Sequence, residues 1–165
     1  MKMTEMFLGQ LEREAPLTRS AVERVPTGRS DWKPHEKSMT LGTLASLVAS
    51  MPSWIATMIE QNELDIGAGG GAQTTARTSV ELLQLLDKSV AAAQRALSKT
   101  TDEHLMTTWR LRFRDRVLSE QPRHIMIADG VFSHLAHHRG QLTVYLRLNN
   151  VPVPAIYGAT ADEGH

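Results

Sequence analysis

A chain of 165 residues, 41% hydrophobic and only 5% aromatic, is long enough for one domain over residues 1–165, and its methyl-rich composition suits helices better than a ring-filled sandwich or barrel. Lys plus Arg equals Asp plus Glu at 18 each, so the whole-chain field of a nucleic-acid binder is missing and no nucleic-acid partner is expected. The absence of cysteine removes disulfides, thiolate ligands and thiol nucleophiles together, and no apolar run approaches the ~18 residues of a membrane span, so a cytoplasmic protein with no membrane partner is expected.

From Met3 to about Val25, apolar residues recur at Phe7, Leu11, Ala15, Thr18 and Val22, in steps that place them on one helical face. Pro26, Thr27 and Gly28 end the run. Arg29 to Met39 has no period but holds Trp32, Pro34 and His35, which reads as an ordered loop whose tryptophan covers a surface. Thr40 can cap a second helix with Leu41, Leu44, Val48, Met51, Ile55 and Met58 inward, a kink at Pro52 and an end near Asn62. Gly67, Ala68, Gly69, Gly70 and Gly71 hold too little side chain to pack and read as a flexible connection without the lysine of a phosphate loop. A third helix is expected from about Thr78 to Ser98, with Val80, Leu83, Leu86, Val90, Ala93 and Leu97 inward.

Between Trp109 and Val117 the period falls to two, which predicts a short extended segment or hairpin. Arg110, Arg112, Arg114 and Arg116 share one face of it, either as a basic ridge or as a solvated edge; the balanced charge and the lack of interleaved aromatic platforms favour the edge. Pro122 then opens a final helix that continues to about Asn149. The expected fold class is all-α, with that segment or hairpin before the last helix.

His134 and His138 stand four apart on this last helix, so their side chains project within about 40° of each other, one turn apart, where two imidazoles can share one ion. They continue the apolar stripe of Ile127, Val131, Leu142 and Tyr145, which turns them toward the bundle. A mononuclear catalytic site commonly takes three protein ligands, so the pair is one short. Asp129, Glu12 and Glu14 are candidate carboxylates for orienting an imidazole, set against their more ordinary role as surface charges.

The run His134-Leu135-Ala136-His137-His138-Arg139-Gly140-Gln141-Leu142, followed by Tyr145-Leu146-Arg147, resembles the last helix of the DinB/YfiT-like metalloenzymes. The resemblance extends to Trp32-Lys33-Pro34-His35-Glu36-Lys37-Ser38-Met39 and to Val153-Pro154-Ala155-Ile156-Tyr157-Gly158, and so covers essentially the whole chain. It implies a four-helix bundle of unusual connectivity, commonly a homodimer, with a metal held by one histidine of the second helix and two of the last. His134 and His138 match the latter two; the second-helix position falls on Leu47.

Leucine cannot ligate a metal, and losing one of three imidazoles costs several kcal/mol of affinity on the scale of about 10–16 kcal/mol for a structural zinc site. Three outcomes stand open: His35 or His137 substitutes, water completes a weak site for Zn, Ni, Fe or Mn, or no metal binds. His35 is the better substitute, because the direction of His137 diverges from a shared facial site. Trp32, Leu47 and Tyr157 are expected to line the cleft. The resemblance implies a metal-dependent enzyme acting on a small-molecule substrate, thiol S-transferase-like or hydrolytic. The alternative is a metal-free bundle that binds a small molecule or a partner without catalysis.

Overall fold

The computed structural model describes residues 2–68 and 75–164; of the glycine run, Gly69 to Gly71 lie outside the described residues. Helix α1, Met3–Val22, starts where two orphan amides find a distant acceptor: the Asp102 carboxylate takes the Met3 N–H at 2.9 Å and the Thr4 N–H at 3.1 Å. Its inward stripe is Phe7, Leu11, Thr18, Ala21 and Val22.

Helices α2, Leu41–Ser50, and α3, Ser53–Glu60, follow the expected second-helix path. Thr40 Oγ1 caps α2 by accepting the Thr43 N–H at 3.3 Å. Pro52 has no N–H to continue the ladder, and the path bends there by 51°. No single helix among the described residues is long and apolar enough to cross a membrane.

The chain is not purely α-helical, which corrects the expected fold class. Strand β1, Glu63–Asp65, pairs in parallel with β2, Thr108–Phe113, and β2 pairs antiparallel with β3, Arg116–Pro122, so the anticipated hairpin gains a third strand from a distant segment. A three-residue strand is too short to show a period, and its partner lies beyond the glycine-rich connection, so neither was visible locally. Arg114, at φ 54°, occupies the left-handed turn position between β2 and β3. Two of the four alternating arginines are ion-paired: Arg110 with Glu120, and Arg112 with Glu63 at 2.9 Å.

Helix α4, Ser79–Lys99, opens on a reciprocal cap in which Thr78 Oγ1 accepts the Glu81 N–H and Glu81 Oε2 accepts the Thr78 N–H. It packs against α1, α2 and α3. Its buried face is Leu82, Leu86, Ser89, Ala93, Ala96 and Leu97; Val80, expected inward, is 61% exposed because the first turn's inward direction belongs to Leu82. The short α5, Asp102–Leu105, leads into β2.

After β3 the chain is helical to its last turn but not uniformly α: α6, Arg123–Ile127, passes through one π-helical stretch, Ala128–Ser133, into α7, His134–Leu148. Wider i→i+5 turns of this kind re-aim the residues that follow. Two cores result. One joins α1, α2, α4 and α7 around Leu44, Val48, Leu86 and Leu142; the other gathers Phe7, Ile55, Ala93, Trp109, Ile127 and Val131 beside the sheet. Trp54 and Val90 pack against both.

Candidate functional site

His134 is the first residue of α7, where the π-helical stretch returns to α geometry. Its Nε2 lies 2.8 Å from Nε2 of His138 one turn on, and the ring centroids are 4.6 Å apart. Both rings are half-buried at the edge of the stripe formed by Leu135, Arg139, Leu142, Tyr145 and Leu146, rather than within it. The Trp54 indole packs on His134 with centroids 5.8 Å apart.

His138 is oriented from its far side. Gln141 Oε1 lies 2.7 Å from His138 Nδ1, and an amide oxygen only accepts, so Nδ1 carries the proton and Nε2 presents its lone pair. His134 Nε2–H therefore donates across the 2.8 Å contact in the neutral pair. Burial, then the charges of His134 and His137, push the His138 pKa below the ordinary imidazole value, against the opposing Gln141 bond. Gln141 was not among the expected site residues; its i+3 spacing from His138 is the signal that marks it.

Once the His134 proton moves to Nδ1, the donor pair fits a shared ion. Zn–N bonds of about 2.0–2.1 Å at angles of about 90–109° separate two nitrogens by about 2.8–3.4 Å, so the rings need to open by at most about 0.6 Å. A protein-derived third donor is not in place: among the described residues no three histidine, aspartate or glutamate side chains are grouped to hold a metal ion. His35 stands in the exposed loop, its Nδ1 accepting the Lys37 N–H at 3.2 Å. His137 is exposed, its ring edge-on to His138 at 5.0 Å. His104 and His124 bond to the Ile59 and Leu105 carbonyls and belong to the scaffold.

The helix pairing shows how α2 and α3 run beside α7. Trp54 meets His134, while Tyr145 Oη donates to the Met39 carbonyl at 3.2 Å and its ring takes the Trp32 ring edge-on at 5.5 Å. The α2–α3 path therefore runs antiparallel to α7, with Leu47 between these two contacts along the chain. Leu47 is half-buried there against the α1–α2–α4–α7 core.

On the other side of His134 a cavity of about 280 Å³ opens. Trp54, Thr57 and Met58 of α3, Leu64 and Ile66, Trp109 and Leu111 of β2, and Met126, Gly130 and His134 line it. Trp32, Leu47 and Tyr157, the residues expected to line the cleft, are not in this wall. Tyr157 is instead 68% exposed as a residue while its hydroxyl joins Glu14 and Arg139. The cavity walls escaped the sequence reading because they come from α3, the β1 segment, β2 and the α6 to α7 stretch, which are far apart in the chain and meet only in the tertiary fold.

Glu14 and Asp129 do not orient an imidazole. Glu14 pairs with Arg139, and Asp129 is exposed.

The family model for the DinB family matches residues 1–164. The chain belongs to the DinB family. Two solved DinB-like proteins share the DinB fold seen here. One, from Bacillus cereus, is 23% identical with a TM-score of 0.71, the match covering 93% of this chain and 97% of that one. Another, from Bacillus subtilis, is 18% identical with a TM-score of 0.69, covering 90% of this chain and 96% of that one. A search of curated proteins finds no match to the chain.

Proposed function

We propose that this DinB-family protein binds one divalent transition-metal ion through His134 Nε2 and His138 Nε2, with the remaining positions left to water and to a small-molecule substrate. The observation that carries the reading is the convergence of two half-buried imidazole nitrogens to 2.8 Å with His138 held in the ligating tautomer by Gln141. A bound ion of this kind supplies Lewis acidity, bringing the pKa of a bound water or thiol toward neutrality, which serves thiol transfer and hydrolysis alike. Gln141 fixes the His138 ring, Trp54 packs the His134 ring, and the surrounding apolar side chains limit water around the pair.

The test is the content of zinc, nickel, iron and manganese in protein purified without a histidine tag, beside a His134→Ala, His138→Ala variant. Bound metal in the wild type and its loss in the variant support the site. Equal metal in both removes it.

A second reading, a metal-free small-molecule or partner-binding protein, draws on Leu47, which packs into the core at the level where the family places an imidazole. Under it the wild type and the double variant carry equally little metal and bind ligand equally well. We also propose a homodimer, from the family resemblance; a sedimentation mass of 18.3 kDa, that of one chain, overturns it.

A further inference from the structure

We infer that the cavity beside His134 receives an uncharged aryl or branched alkyl group, so that the substrate or ligand of this site carries such a group next to its reacting or polar end. The inference rests on the reading of the histidine pair only for the second half of that statement; the cavity's preference follows from its walls.

Among the described residues, those walls contain no charged carboxylate, ammonium or guanidinium group. Thr57 and His134 are the polar side chains among them apart from the two indole nitrogens, and the rest is Trp54, Met58, Leu64, Ile66, Trp109, Leu111, Met126 and the backbone of Gly130. A charged group placed here would lose its hydration without gaining a counter-ion, whereas an aryl face meets two indoles and two adaptable thioethers. Native cores seldom leave such space: a dry cavity of about 150 Å³ already accepts benzene, and this one measures about 280 Å³.

The construction is rigid where it needs to be. Trp109, 1% exposed, forms part of the wall from β2, and Met58 and Met126 are 5% and 8% exposed. At the open side Leu64 and Ile66 are 37% and 53% exposed, apolar surface that an apolar ligand would cover. Gly130, in the π-helical stretch, keeps the wall clear: a Cβ there would stand 3.3 Å from Met58 Cε, and a longer side chain would compete for the same space. The same stretch ends at His134, so the wider turn that shapes the cavity also delivers the imidazole to its edge.

Two of the three tryptophans of the chain line the cavity, which gives a direct readout. Full-length protein is titrated with 1-naphthol and with 1-naphthoate at pH 7, following tryptophan emission and heat, with methyl-labelled methionine resonances assigned for Met58 and Met126. The expected result is saturable 1-naphthol binding, at least tenfold weaker 1-naphthoate binding, and shifts of both methyl resonances. Thr57→Phe, which fills the space, and Ile66→Glu, which alters only the exposed side, should each weaken 1-naphthol at least tenfold while keeping the wild-type circular dichroism. Equal affinity for the two probes, or wild-type affinity in both folded variants, overturns the inference. His138→Ala separates the two proposals, because His138 is not itself a wall residue and meets the cavity only through His134: it should lose metal yet bind 1-naphthol within twofold of wild type, and a larger loss also overturns the inference.

Discussion

Arg139 Nη2 donates to Glu14 Oε2 at 2.6 Å with the arginine side chain 1% and the glutamate 15% exposed, so one residue after His138 the last helix is pinned to the first by a nearly dry ion pair. Arg139 Nη1 donates to Thr18 Oγ1 at 2.9 Å, and the Tyr157 hydroxyl donates to Glu14, closing the C-terminal segment over the pair. The Tyr157 ring also receives the guanidinium at 5.1 Å from its centroid. The pair is a fixed strut behind the turn that carries His134 and His138.

Removing one partner should therefore cost far more than an exposed ion pair would. Glu14→Ala leaves the Arg139 charge buried without its counter-ion and is expected to lose about 3–5 kcal/mol in urea unfolding. Tyr157→Phe keeps the ion pair and loses the hydroxyl's bonds with Glu14 and Arg139, an expected cost of about 1–3 kcal/mol. If Glu14→Ala falls within the error of wild type, the strut contributes nothing to stability.

Arg123 poses the opposite case, a guanidinium 2% exposed with carbonyl and amide oxygens for partners: Thr108 O at 2.8 Å, Gln61 O at 3.1 Å and Asn62 Oδ1 at 2.8 Å, besides the Thr107 hydroxyl. It joins the end of α3 to the start of β2, and burial lowers its pKa. Arg123→Met strands these acceptors, and a loss of about 3 kcal/mol in the unfolding free energy is expected. A fully stable Arg123→Met protein would show that the acceptors find other partners.

The acid limb of stability should contain Asp102. Its pKa is lowered chiefly by the backbone N–H groups of Met3 and then Thr4, so its contribution is present above the ordinary carboxylate value and is lost as pH falls through the lower, folded one. Asp102→Asn should lower the urea midpoint at pH 7, and the gap to wild type should close below about pH 3.8, the value from which the shift is taken. A gap that stays constant down to pH 2 contradicts the assignment.

Leu47→His should raise zinc affinity at least tenfold by calorimetry, because the family resemblance puts the second-helix ligand position on Leu47 and the new ring would supply a third nitrogen. Binding no tighter than wild type would place the missing ligand position elsewhere on α2.

The helices were legible because each repeats a burial pattern over several turns: Phe7, Leu11, Thr18 and Val22 on α1, and Leu86, Ala93 and Leu97 on α4. Thr40 and Pro52 could be read for a cap and a bend because both act through the backbone within one turn. The third strand could not, since Glu63–Asp65 is stabilised by pairing with residues some 47 positions away, Glu63 opposite Arg110 and Asp65 opposite Arg112.

The histidine pair divides in the same way. Four-residue spacing on a helix was enough to set His134 and His138 side by side, a consequence of helical geometry that no tertiary contact alters. Their half-buried setting, the Gln141 and Trp54 contacts and the apolar cavity beyond His134 depend on how the bent α2–α3 path, the π-helical stretch and β2 come together. Local chain geometry acts through adjacent turns and is written in spacing; a cavity is bounded by side chains from segments far apart in the chain, and only packing decides which of them meet.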